Sequence, residues 1–483
     1  MEFEPTIGLE VHIQLLTDSK IFCSCSTKFG LLPNENVCPI CMGMPGVLPV
    51  LNKKVVEFAV KLGLALNCNI NKYSVMARKN YFYPDLPKNY QISQYEMPIL
   101  TGGYVEIEDE NGFTKIPLER IHIEEDAGKT IHTHDSSLVD FNRTGVPLLE
   151  IVSKPAISTP RQAYEYLRSL RRIVRYLGIC DGNMEEGSLR CDANISIKPK
   201  GQTELGTKVE IKNMNSFKHV EKALEFEIER QIQTVMDNKE IVQETRLFDE
   251  KTFTTKPMRS KEEAYEYRYF PDPDLVPIVI EDNFLELIKS DLPELPLQKF
   301  NRFVKTYNIK EEDAKTLIES KELADFYEEV AKKSNPKSAL SWVLTETLGY
   351  LNKDNKDITQ LLIKPDDLAE LINLVENNVI SGKIAKEVFA KMYETGLSPK
   401  IIIEKENLTL IQDTGIIEKA LNEAIANNPK AVEQYKAGKK NTIGFFVGAV
   451  MKATKGKADP KIVNELIIKK LGEIWELLST QVL

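Results

Sequence analysis

Nowhere does the chain hold 18 consecutive apolar residues, so no helix of this sequence is expected to cross a membrane. The opening MEFEPTIG is acidic and lacks a basic-then-apolar leader layout, so export is not expected and the protein is placed in the cytoplasm. There is no internal repeat and no low-complexity tract. Cysteine is scarce and odd in number, seven in all, with four between Cys23 and Cys41. In a cytosolic chain that pattern favours a metal over disulfides. Positive charge is in deficit: the net charge is −9, which argues against loose polyanion binding by the whole surface but leaves room for a local basic patch. What is present is ample core material. The 483 residues are 42% apolar and 28% charged, enough for roughly two to four domains.

The first 290 or so residues are rich in Gly, Pro and aromatic side chains and read as short strands with turns. Two long helices interrupt them. One is expected from about Pro160 to Leu177, with Thr159 as cap, Pro160 in the first position and Gly178 after its end. Its apolar stripe is Ala163, Leu167, Leu170, Val174 and Leu177. The second begins near Ser216 and carries Phe217, Val220, Leu224 and Ile228. Strands with a few helices in no regular alternation imply an α+β fold. Near LPELPLQ, Leu292 to Gln298, the texture changes to Lys, Glu, Leu and Ile, which reads as all helix. The polar stretch Lys353 to Asp357 and the break GLSPK, Gly396 to Lys400, divide this part further. The expected organisation is a catalytic domain over 1–291, a helical domain over 292–405 and a helical tail over 406–483.

GLEVHIQL, Gly8 to Leu15, alternates as a strand and puts Glu10 and His12 on one face. An isolated E-x-H equally suits a solvated strand face. Cys23-Ser-Cys25 and Cys38-Pro-Ile-Cys41 form two close pairs, able to place four thiolates around one tetrahedral, structural zinc. Cys68, Cys180 and Cys191 sit in apolar contexts and read as core. In RIHIEEDAGKTIHTH, Arg120, His122 and Glu124 share a strand face and Glu125 and Asp126 follow. Gly128-Lys129-Thr130 invites a phosphate-loop reading, but that motif needs a glycine where Ile123 stands. Paired acids before a glycine can hold Mg²⁺, and a charged loop is the plainer alternative. Glu150, between Leu148, Leu149, Ile151 and Val152, is a lone acid in a buried strand and needs a cation or donors; an ordinary ion pair would also serve. In DGNMEEGSLRCDANISI, Arg190, Asp192, Asn194 and Ser196 share one face, suited to metal and phosphate or to solvent.

Basic and aromatic residues interleave in RKNYFYPDLPKNYQISQYE, Arg78 to Glu96, as in nucleic-acid binders or in an aromatic loop over a core. Arg168, Arg171, Arg172 and Arg175 make a basic helical stripe, ordinarily a solvated face. From Lys430 to Lys461 eight lysines stand against Glu433 and Asp459, a local charge of +6 that suits RNA backbone or a solubilising face.

Together these segments resemble the B subunits of the bacterial aspartyl/glutamyl-tRNA amidotransferases. The resemblance runs through IGLEVHIQLLTDSKIFCSC, VCPICMGMPGVLPVLN, RKNYFYPDLPKNYQISQ, HIEEDAGK, NRTGVPLLEIVS, DGNMEEGSLRCDANIS, EIKNMNSF, MRSKEEAYEYRYFPDPDL and VGAVMKATKGKADP, nearly the whole chain in family order. It implies a mixed cradle domain on a largely antiparallel sheet, akin to glutamine synthetase and guanidino kinases, then a helical domain and a helical tail. The implied activity is the ATP-dependent conversion of misacylated Glu-tRNA(Gln) or Asp-tRNA(Asn) into the amide. The implied partners are those tRNAs and, in a heterotrimer, the glutaminase (amidase) chain and a small strapping chain.

By the same resemblance Glu10, His12, Glu125 and Glu150 form a catalytic Mg²⁺ site, with Glu124 and Asp192 beside it. Lys79 and Lys88 lie near the phosphate or the ammonia route, and Arg190 clamps phosphate of ATP. The cysteines brace a hairpin with Zn²⁺, and Lys439, Lys440, Lys452, Lys455 and Lys457 grip the tRNA. Two rivals remain: a zinc-braced RNA-binding scaffold without catalysis, and a ligase acting on a small acid without tRNA.

Overall fold

The computed structural model describes residues 2–110, 112–258, 267–406, 408, 414–436, 442–454 and 457–479. The chain divides into two compact units, Met1–Gln298 and Lys299–Leu483.

The first unit is built on a ten-stranded mixed sheet. Its central strands, in spatial order, are Val209–Met214, Leu189–Pro199, Phe3–Gln14, Pro147–Ser153 and Gly112–Glu125. These neighbours all pair antiparallel; the parallel pairing is between Val209–Met214 and Glu244–Asp249. Period-two alternation splits the sheet into two unlike faces. Ile7, Leu9, Val11 and Ile13 are 0% exposed on one face, with Ile121, Ile123, Leu149 and Ile151 beside them. Three helices cover that face: Lys53–Ala65, Pro160–Tyr176 and Phe217–Met236.

The two long helices form for the reasons the sequence suggests. Thr159 accepts from the Gln162 amide and Ser216 from the His219 amide, each satisfying a donor that the first helical turn leaves free. Gly178 then takes a positive φ of 66° to end the first helix. Tyr166, Leu167, Leu170 and Val174 from that helix are fully buried. Truncating one such leucine to alanine costs about 2–5 kcal/mol. The opposite, polar face of the sheet meets a small three-stranded sheet made of Phe270–Pro271, Ala77–Asn80 and Tyr90–Ser93. The space between the two sheets is where the ionisable residues gather.

Apart from one 3₁₀ turn and a π-helical stretch at Trp342–Thr347, the described elements of the second unit are α-helices. Phe303, Tyr327, Val388 and Phe389 are buried there. A separate cluster, with Ile417, Leu421, Phe446, Val450, Val463 and Ile467, forms the core of the tail helices.

Candidate functional site

The register of four strands lines up one row of polar side chains. Arg190 stands opposite His12, His12 opposite Glu150, and Glu150 opposite His122. Directly opposed residues bring their Cβ atoms to about 5 Å, so each row is a set of neighbours. The next row holds Asp192, Glu10, Val152 and Arg120, and the row on the other side holds Gln14, Leu148 and Glu124.

His12 Nε2 lies 3.3 Å from Glu124 Oε1 and 3.3 Å from Glu150 Oε2. His122 Nε2 lies 3.3 Å from Glu150 Oε2 and 3.9 Å from Glu124 Oε2. Burial alone would push the His12 pKa down, but the two carboxylates outweigh it and hold it up at about 10. Burial likewise works against ionised Glu150, and the His12 and His122 imidazoles overcome it, holding its carboxyl far below the usual range. Burial, then the charge of Glu150, raises Glu10, whose Oε1 accepts from Asn194 Nδ2 at 2.8 Å. Donor atoms of His12, Glu124 and Glu150 all lie within 4.8 Å of one another, close enough to share a cation.

The structure differs here from the sequence expectation. Glu125 does not join this cluster, and Glu124 does. The two are adjacent on one strand, so their side chains leave opposite faces. Glu125 instead pairs with Lys88 and accepts from the Ile92 amide at 2.8 Å. Lys88 is thereby also removed from the cluster. Both line a separate cavity of about 110 Å³ shared with Lys20, Cys23 and Cys41. Arg190 reaches the row but is pinned by buried Asp126, at 2.7 Å, so it is less a free clamp than expected. Asp192 is held by Lys212 at 3.1 Å.

Above the row opens a cleft of about 840 Å³, floored by Glu10, His12, His122 and Glu150. Lys79 lines its far wall, 4.8 Å above the Tyr267 ring, beside Tyr95 and Tyr269 stacked at 4.3 Å. Arg120 and Lys212 add positive charge at the floor, and Arg120 Nε is buried without a hydrogen-bond partner among the described residues. His122, Arg120 and Lys212 were missing from the sequence-derived site. The R-x-H-x-E alternation, a mirror of E-x-H, was the signal that could have supplied the first two. Gly128-Lys129-Thr130 leads into a small β-hairpin, Lys129–His132 with Ser137–Asp140, and not into a helix, so it is no phosphate loop.

The four sulfurs of Cys23, Cys25, Cys38 and Cys41 also lie within 4.8 Å of one another. Hydrogen bonding from Cys23 is the main influence that pulls Cys41 down to about 5, with the nearby Lys20 ammonium adding to it, while burial raises Cys25 to about 11. A set of four soft sulfurs in this arrangement fits a tetrahedral zinc-type ion. In the tail, Lys452 is exposed on the helix Thr442–Ala453 and Lys457 is half-buried. Lys439, Lys440 and Lys455 lie outside the described residues.

Comparison with known proteins gives this geometry a family. The model described as the GatB/GatE catalytic domain matches residues 5–286, and the GatB domain matches residues 325–471. Among the aspartyl/glutamyl-tRNA(Asn/Gln) amidotransferase B subunits, that of Thermodesulfovibrio yellowstonii is 57% identical over 475 residues, covering 98% of this chain and 100% of that protein. Its counterpart from Caldanaerobacter subterraneus is 55% identical, and that from Carboxydothermus hydrogenoformans 54%, each again covering 98% of this chain and 100% of the relative. With this identity sustained from end to end, the chain belongs to the family of aspartyl/glutamyl-tRNA(Asn/Gln) amidotransferase B subunits.

Proposed function

We propose that this chain carries out the amide-forming half of a tRNA-dependent amidotransferase, converting Glu-tRNA(Gln), Asp-tRNA(Asn) or both into the amidated form with ATP. The observation that carries this reading is the convergence of His12, Glu124 and Glu150, two of which, His12 and Glu150, line the floor of the 840 Å³ cleft, with cationic Lys79, Arg120 and Lys212 around it.

A free carboxylate does not accept ammonia, because oxide is a poor leaving group. The side-chain carboxylate of the aminoacyl group attacks the γ-phosphorus of ATP, the bond to the bridging oxygen breaks and ADP departs. Ammonia then attacks the acyl carbon of the resulting acyl phosphate. The carbon–oxygen bond to phosphorus breaks, phosphate leaves and one proton is released from nitrogen. In the first step negative charge spreads over the transferring oxygens, and preorganised cations at the cleft oppose it.

Neutral His12, with Glu124 and Glu150, would hold Mg²⁺, the cation taking the place of the proton that the two carboxylates otherwise keep on the ring, and Glu10 lies adjacent. The carboxylates suit a hard cation, although an imidazole is an unusual ligand for it. When bound, the ion would neutralise phosphate charge. The chain's own residues do the rest. His122 holds Glu150 in place through its 3.3 Å contact. Lys79 and Arg120 are the phosphate-facing cations, Lys212 beside them is paired with Asp192 and Glu210, and the tyrosine wall keeps water from the acyl phosphate. Zn²⁺ is the ion we assign to the four cysteines, in a structural role because four thiolates leave no open position. Ammonia comes from the glutaminase chain of the complex, with the small strapping chain completing the heterotrimer. The tail is a separate module over 406–483 that contacts the tRNA body.

The test uses the complex rebuilt with both partner chains, given misacylated tRNA, Mg²⁺, ammonium and labelled ATP. Wild type should form the amide and ADP together, and His12→Ala should form neither. Equal amide formation by both proteins would return His12 and its row to an ordinary strand face. ATP turnover also separates this reading from an RNA-binding scaffold, and dependence on tRNA separates it from a small-acid ligase.

A further inference from the structure

Lys20 is 0% exposed, yet among the described residues no carboxylate pairs with it. Its ammonium donates to the Asn36 carbonyl at 2.8 Å and the Phe141 carbonyl at 3.4 Å, and lies 3.8 Å from Cys41 Sγ. Bonded to two carbonyls and a neutral thiol, a buried ammonium would keep its hydrogen bonds but not its balance of charge, and such a charge is costly in a low-dielectric interior. The acids that line the same cavity are already paired, Glu125 with Lys88 and Asp274 with Arg78, so the group left against Lys20 to supply the opposite sign is the cysteine cluster. Four thiolates around a divalent ion carry a net negative charge, and Lys20 sits against one of them.

The contacts of Lys20 also span two segments. Asn36 belongs to the loop between the cysteine pairs. Phe141 opens the turn Phe141–Val146, which leads directly into the strand carrying Glu150. Other bonds repeat the link: the Asn36 amide donates to Asn142 Oδ1 at 2.8 Å, and the Ile21 amide to the Gly145 carbonyl at 2.8 Å. The Gly145 amide in turn donates to the Asp126 carbonyl at 3.0 Å. On the other side Gly43, at φ +64°, packs so closely that a Cβ there would overlap the Lys88 side chain. The cysteine loop therefore bears on two of the segments that border the Glu125–Lys88 cavity, those of Gly145 and Lys88.

We propose that Lys20 is a positioning residue: it is the counter-charge of a divalent, thiophilic ion held by Cys23, Cys25, Cys38 and Cys41, and it ties loading of that ion to the seating of the Phe141–Val146 turn. This rests on the assignment of a metal to the cysteines, and the test separates the two. Full-length wild type, Lys20→Met and Lys20→Gln are loaded with Zn²⁺ and challenged with a chelator, and amide hydrogen exchange is followed at 141–146. If wild type takes up no zinc, the metal assignment fails. If it does, Lys20→Met should bind zinc on the order of 10–100-fold more weakly. Lys20→Gln, which keeps donors but no charge, should be equally impaired; recovery by glutamine or unchanged affinity in both variants overturns the counter-charge. Stripping zinc from wild type, with Lys20 intact, should speed exchange at Gly145 and Val146 at least tenfold. Equal protection in loaded and stripped wild type overturns the coupling, whether or not the variants fold.

Discussion

The cysteine cluster and the His12–Glu124–Glu150 floor are both compact donor sets, but the chain builds them in opposite ways. The cysteines come from one segment of 19 residues, Cys23 to Cys41, closed by local turns. The floor draws its donors from three strands far apart in sequence, and exists only because the register sets His12 against Glu150 and Glu150 against His122. A slip of one residue in any of these strands would turn its donors into the core. The first site can therefore tolerate change elsewhere in the sheet, whereas the second depends on the whole sheet folding correctly. Donor chemistry follows the same division: soft sulfurs suit an ion that braces structure, and carboxylates with imidazole suit an ion that meets phosphate.

Four experiments would break or sharpen that contrast. The largest effect should come from Glu150→Gln, which removes the carboxylate that both histidines face; amide formation by the rebuilt complex should fall on the order of a thousandfold with the far-UV spectrum unchanged. Retained activity would remove the floor from the mechanism.

The next comparison sets two neighbours against each other. Glu124→Gln should cost about a hundredfold in ATP-dependent amidation and little stability. Glu125→Gln should destabilise the sheet unit by about 3 kcal/mol in urea unfolding, because the largely covered Lys88 ammonium loses the buried carboxylate it pairs with. The reverse pattern would move the reacting centre to the other face of the strand.

Cys25→Ala should abolish zinc binding, measured by metal analysis, while lowering kcat of the rebuilt complex less than about tenfold, as expected of a brace. A loss as large as that of Glu150→Gln would make the cysteines part of the reaction. The smallest effect belongs to the tail. Lys452→Ala with Lys457→Ala should weaken tRNA binding severalfold and lower the slope of log affinity against log salt by about two. An unchanged slope would make this surface a solvated helical face.

How much could be read in advance follows from the same contrast. The cysteine spacing, the two capped helices and the change of texture before the helical half are local signals, and the structure carries them through. The individual strand faces were also legible: Glu10 with His12, and Arg120, His122 and Glu124 together. The resemblance named Glu125 for the metal and put Glu124 beside it, whereas the fold brings Glu124 to His12 and Glu150 and Glu125 to Lys88, a difference of side-chain direction that a set of residues does not carry. Arg190 looked like a free clamp because nothing in its own strand reveals that Asp126, 64 residues away, already holds it.

The sequence by itself determined the α+β and helical halves, the family, the thiolate cluster and which residues share each strand face, since all of these depend on short-range pattern or on long motifs in order. Tertiary structure alone decided which faces meet. It placed His12, Glu124, Glu150 and His122 around one point, turned Glu125 to Lys88, and left Lys20 buried beside Cys41. Those outcomes depend on strand register and on charge buried across large sequence separations, and neither is encoded in any one stretch of the chain.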